Sequence, residues 1–141
     1  LLVVGAAGWG PGLDLRDLPP GRVVLAGHLP AARVRAAVRG ARAVVFPSLY
    51  EGFGLPPLEA LACGIPVLAA DLAVTREVLG DQARFVDATR ADAVLRGIRD
   101  TLDSPAGTAQ SRRSHAAGFT WEECVRATIA AYEHAAAGRR A

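Results

Sequence analysis

The chain has 141 residues, 51% of them hydrophobic and 21% charged, with a formal charge of +2. That is one domain's worth of chain, long enough to bury a core and too apolar and weakly charged for disorder. The small charge, with no basic stripe interleaved by aromatics, argues against a nucleic-acid partner.

Other counts narrow the class further. All sixteen basic residues are Arg, there is no Met, and the chain opens on the apolar run Leu1-Leu2-Val3-Val4. A chain that starts inside a core-like strand reads as a piece of a longer protein, with 1–141 a single domain and sequence missing upstream. No apolar run approaches the ~20 residues of a membrane span, and no signal peptide is visible. Cys63 and Cys124 lie far apart with no C-x-x-C pair, and read as two buried free thiols in a reduced compartment. His28, His115 and His134 show no metal-ligand spacing, so no metal site is expected.

Short apolar runs alternate with Ala-rich helical runs. The expected strands are Leu1–Val4, Val23–Ala26, Ala43–Phe46, Val67–Ala70 and Arg84–Val86. They are continuous rather than alternating, as strands covered on both faces are. Ala31–Arg42 reads as a helix with Val34, Val38 and Ala41 on one face and Arg33, Arg35, Arg39 and Arg42 largely away from it. Pro56–Cys63 opens on two prolines, which suit a first helical turn, and stops at Gly64. Val74–Leu79, Ala91–Leu102 and Trp121–Ala137 are further helices, the last within a C-terminal helical segment, 119–141. The polar stretch Gly107–Gly118 reads as a short helix or a loop. Strand–helix–strand repetition implies an α/β fold, a Rossmann-like doubly wound parallel sheet. Ligands of such sheets bind beyond the carboxyl ends of the strands.

The informative segment lies at such an end, from Phe46 to Ala60: Phe-Pro-Ser-Leu-Tyr-Glu-Gly-Phe-Gly-Leu-Pro-Pro-Leu-Glu-Ala. A strand ends, a loop with Gly52 and Gly54 follows, and a helix starts near Pro56. The glycines permit close ligand approach. Free N–H groups at the helix start offer an anion site. Glu51 in the loop and Glu59 in the expected first turn bracket it, and each carboxylate can accept two hydrogen bonds from a vicinal diol. A phosphate cradle between two diol acceptors suits a nucleotide sugar. Spacing alone leaves another reading open, with Glu59 a first-turn Glu favoured by the helix dipole and Glu51 an exposed loop carboxylate.

The whole segment resembles the retaining glycosyltransferases of group 1, which have the GT-B fold. Their hallmark is Pro-Ser-x-x-Glu-Gly-Phe-Gly-Leu-Pro-x-x-Glu-Ala, met here at Pro47, Ser48, Glu51 through Pro56, Glu59 and Ala60. Ala62 to Val67, Glu77 to Asp81 (with Arg76 where Pro is common) and Phe119-Thr120-Trp121-Glu122 extend the resemblance. It implies hexosyl transfer from a nucleoside-diphosphate sugar to an acceptor hydroxyl, with retention and without a metal or other cofactor. Glu59 would bind the donor ribose. Glu51 would contact the donor sugar as the catalytic residue, a binder and electrostatic stabiliser rather than a covalent nucleophile. Amides around Gly52, Phe53, Gly54 and Leu55 would hold sugar and diphosphate, and Gly27, His28 and Leu29 would lie by the nucleobase. Arg76 reads as an exposed Arg, with a reach to phosphate or sugar as the alternative. The Gly-rich loop Gly5-Ala6-Ala7-Gly8-Trp9-Gly10 lacks the dinucleotide-binding gap order and reads as structural.

The chain departs from the family in what it lacks. The family's diphosphate site also uses an Arg and a Lys from upstream, and no Lys is present. The acceptor-binding N-terminal domain would be the missing partner, so the chain is expected to be inactive alone and to bind donor weakly. The donor is GDP-mannose or a UDP-sugar, with the motif's wording leaning to mannose. The acceptor, a glycan, lipid or small molecule, is unread. The composition suggests a high-GC bacterium, and the family a cytoplasmic enzyme, with peripheral membrane contact open for the whole. A non-catalytic nucleotide-binding module and a nucleotide-sugar epimerase-like GT-B protein are the alternatives.

Overall fold

In the computed structural model, which describes residues 1–6 and 18–138, short parallel strands alternate with helices. The chain divides into two compact units, Leu1–Gly40 and Ala41–Ala141.

The first unit holds β1 (Leu2–Val3), β2 (Val24–Leu25) and α1 (Ala31–Gly40). β1 and β2 pair in parallel, Leu2 against Val24 and Val3 against Leu25. Gly5 N donates to Gly27 O at 2.9 Å just past the pair. α1 places Val34, Ala37 and Val38 on its half-buried stripe and its arginines in solvent, as its periodicity requires. It ends at Gly40, two residues short of the expected Arg42. Residues 7–17, with the Gly8-Trp9-Gly10 motif, lie outside the described residues.

The second unit holds β3 (Val44–Phe46), α2 (Leu55–Ala62), β4 (Val67–Ala70), α3 (Ala73–Leu79), β5 (Arg84–Val86), α4 (Ala91–Asp103), α5 (Ala109–Ala116) and α6 (Trp121–Gly138). A 3-10 turn, Gly80–Gln82, links α3 to β5. The strands form one parallel sheet in the order β3-β4-β5. The parallel α/β layering expected from the sequence is present, with the strands divided between two sheets, one in each unit.

β4 is the middle strand and is buried along its whole length. Leu68 points at α4, where Gly97 permits close approach. A Cβ at Gly97 would lie 2.5 Å from Val86 Cγ1 and 2.9 Å from Leu68 Cδ1. Ala60 and Leu61 of α2 and Leu79 of α3 have no exposed surface and complete the core with Val67 and Leu68. Thr75, also buried, ties the turn after β4: its hydroxyl donates to Ala70 O at 2.6 Å and accepts from Leu72 N at 3.1 Å.

The polar stretch 107–118 forms a helix, α5. Thr108 caps it, accepting from Ser111 N at 3.0 Å, while Ser111 Oγ accepts from Thr108 N at 2.9 Å. Its Arg112 is 4% exposed. Arg112 donates to three carbonyl oxygens, Gly64 at 3.0 Å, Ala106 at 2.6 Å and Gly107 at 3.0 Å. Burial, and secondarily Arg113, pulls its pKa below the usual value. The planar guanidinium thereby joins the end of α2 to the α4–α5 loop.

α6 has no buried residue. Trp121, Val125, Ile129 and Tyr132 repeat along one face and are 81%, 55%, 52% and 74% exposed. The expectation of two buried thiols is corrected here. Both cysteines are free, but Cys63 is half-buried and Cys124 exposed, because Cys124 sits on α6.

Candidate functional site

All three strands of the second unit run the same way, so the loops after Phe46, Ala70 and Val86 share one edge of the sheet. The loop after β3 carries the Glu51-to-Glu59 segment. Pro47 closes the strand, and Ser48 Oγ donates to Tyr50 O at 3.0 Å to bend the chain. Gly54 is buried and takes φ 90°, ψ 48°, a left-handed conformation that L side chains rarely adopt. That turn lets α2 begin at Leu55, one residue before the expected start.

The helix opens Leu55-Pro56-Pro57, and the two prolines have no N–H. The first helical bond runs from Leu58 N to Gly54 O at 3.3 Å. Among the described residues, the amides of Gly52, Phe53, Gly54 and Leu55 donate to no protein acceptor. The free N–H groups at this helix start are thus fewer than the sequence suggests, those of the loop leading into the helix plus that of Leu55. The positive end of the α2 dipole lies at this same helix start.

Glu51 is half-buried and Glu59 exposed. Glu59 is the fifth residue of α2, one residue further in than expected. α2 buries Pro57, Leu58, Ala60 and Leu61 and leaves Leu55 and Glu59 outward. Four residues apart, those two share one face, so Glu59 stands behind Leu55 on the exposed flank.

The structure thus brings together Glu51, Gly52, Phe53, Gly54, Leu55 and Glu59 on one loop and helix of the second unit. Gly27, His28 and Leu29 belong to the first unit. There, Gly27 takes φ 61° as the chain leaves β2, and His28 is exposed at the bend.

Two neighbours on the sheet edge were not read as site residues. Asp71 follows β4 and binds Arg76 in a two-pronged pair, Nη2 to Oδ2 at 2.7 Å with Nε to Oδ1 alongside. The hydrogen bonds from Arg76 hold the Asp71 carboxyl below its usual range. The Arg76 guanidinium also lies 4.8 Å from the centroid of the Phe85 ring. Arg76 is engaged by its own chain, which favours the exposed-Arg reading over a phosphate contact. Asp87 follows β5 and accepts from Thr89 N at 3.0 Å and from the Thr89 hydroxyl, which keeps its pKa low. Among the described residues, no three His, Cys, Asp or Glu side chains gather as a cation would need.

Comparison with known proteins gives the family. Residues 17–118 match the group 1 glycosyl transferases. The chain belongs to that family. It is 36% identical to the O-antigen chain mannosyltransferase B of Escherichia coli over 140 residues, 94% of this chain and 37% of that protein. It is 39% identical to the D-inositol 3-phosphate glycosyltransferase of Geodermatophilus obscurus over 144 residues, 96% of this chain and 30% of that protein. Among solved structures, it superposes on a sucrose-phosphate synthase from Thermosynechococcus elongatus with TM-score 0.69 and 28% identity, covering 83% of this chain and 31% of that one. The chain spans about a third of the length of these relatives. The Rossmann-like units described above therefore belong to a group 1 glycosyl transferase with the GT-B fold. Among the described residues, no helix is long and apolar enough to cross a membrane.

Proposed function

We propose that this group 1 chain is the donor-binding part of an enzyme that moves a hexosyl group from a nucleoside-diphosphate sugar to an acceptor hydroxyl, with retention and without a metal. One observation carries the reading: amides at Gly52 to Leu55 that are unengaged among the described residues sit at a helix start, with Glu51 before them and Glu59 one turn behind. Negative charge grows on the diphosphate as the glycosidic bond breaks. Fixed amide donors meet that charge without reorganising, and one such donor is worth roughly 3 kcal/mol of barrier. Glu59 accepts from the ribose diol and orients the donor. Glu51 accepts from sugar hydroxyls and stabilises positive charge at the anomeric carbon. The named mannosyltransferase relative supports GDP-mannose as the donor to try first.

The test is steady-state transfer by the full-length enzyme with GDP- and UDP-sugars. Glu59→Gln is expected to raise the donor KM by roughly 10- to 100-fold, the worth of a charge-assisted hydrogen bond. Glu51→Gln is expected to act mainly on kcat. An unchanged donor KM in Glu59→Gln sinks the ribose assignment. A clear preference for UDP-sugars sinks the mannosyl one. The 141-residue chain alone is expected to transfer no sugar above blank.

A further inference from the structure

The Phe119-Thr120-Trp121-Glu122 segment carries part of the family resemblance, yet no role in the donor site follows from that resemblance. The structure places Phe119 against the site. Its ring meets that of Phe53 edge-on, with centroids 6.0 Å apart and planes at 78°. It also meets the His115 ring at 5.5 Å. His115 is itself tied down: its Nε2 lies 2.8 Å from Val78 O, and a carbonyl only accepts, so Nε2 carries the hydrogen. Gly80 lies close by, where a Cβ would sit 3.2 Å from His115 Cε1. The Phe119 backbone is held as well, its N donating to Ala116 O at 3.1 Å. Phe53, by contrast, sits in a loop whose amides bind nothing among the described residues, although the two residues are equally exposed, Phe53 at 42% and Phe119 at 41%.

We propose that Phe119 is a positioning residue for the donor site. Its ring holds Phe53, and through it sets the direction of the Gly52, Phe53, Gly54 and Leu55 amides. The link to donor binding rests on the function proposed above, while the link between the rings does not. An edge-to-face pair is worth roughly two- to tenfold in an equilibrium.

The experiment compares full-length enzyme with its Phe119→Leu, Phe119→Tyr, Phe53→Leu and doubly substituted Phe53→Leu/Phe119→Leu forms. The first readout is limited proteolysis after Glu51 by a glutamate-specific protease, without nucleotide. Phe119→Leu is expected to speed that cut roughly two- to tenfold and leave other glutamate sites unchanged. Phe119→Tyr, which keeps the ring, is expected to match wild type. The double variant is expected to be no faster than Phe53→Leu alone, which keeps the coupling testable even if one single variant folds poorly. The second readout is the donor KM, expected to rise by the same factor in Phe119→Leu with a smaller change in kcat. An unchanged cut after Glu51, or faster cutting at every glutamate alike, overturns the proposal. A loosened loop with an unchanged donor KM keeps the coupling and overturns the donor-site reading.

Discussion

Strands β2 and β4 both begin with Val-Leu and meet different surroundings. Val24 and Leu25 in β2 are 49% and 51% exposed, whereas Val67 and Leu68 in β4 are 1% exposed each. β4 has a strand on either side and α2 and α4 packed on it. Among the described residues, β2 has one partner, the equally short β1. An apolar run is enough to favour an extended strand, but burial comes from what is laid against it. The same contrast separates the donor loop from its support. Among the described residues the Gly52–Leu55 amides are unengaged, while α2 beneath them is fixed by its own core face and by Arg112 at its far end.

Substitutions in the two strands measure that difference. Leu68→Ala is expected to have the largest effect, about 2–5 kcal/mol, because the lost methyl groups leave a cavity under α4. Val24→Ala is expected to cost under about 1 kcal/mol, since half of its surface already meets water. Urea midpoints of the two variants compare them directly, and equal shifts would break the contrast. Gly97→Ala comes next, at about 1–3 kcal/mol, because its methyl group has no room between Val86 and Leu68. A neutral result would mean that α4 can lift off the sheet. Arg112→Met is expected to cost a similar 1–3 kcal/mol, leaving the carbonyls of Gly64, Ala106 and Gly107 without their donor. It should also speed limited proteolysis in the α4–α5 loop.

The smallest effect belongs to the exposed Asp71–Arg76 pair. Asp71 has a lowered folded pKa against an ordinary value of 3.8. Its contribution is therefore present above that ordinary value and fades as pH falls through the folded one. Stability followed from pH 6 to pH 2 should lose this small component in wild type and lack it in Arg76→Ala. Identical acid profiles would show that the pair adds nothing, as many surface pairs do.

Much of the fold was legible because its signals are local. β4 and β5 have the bounds their apolar runs suggested, and α4 is only one residue longer than expected. α5 was legible in principle, since Thr108 and Ser111 have the three-residue spacing of a capping box, but its polar composition hid it. Glu51, Gly52, Phe53, Gly54, Leu55 and Glu59 come together because they are near neighbours on one loop and helix. The narrowing of the amide cradle was also written in the sequence, in Pro56 and Pro57.

The order of residues by itself determined the element types, the parallel layering and the loop-to-helix segment of the family. These depend on periodicity, on proline and glycine, and on spacing within a few residues. Only the tertiary structure decided that β4 is buried while β2 is not, that Arg112 reaches Gly64, and that Phe119 meets Phe53. Each of these joins residues far apart in the chain, and the packing that brings them together is a property of the assembled layers.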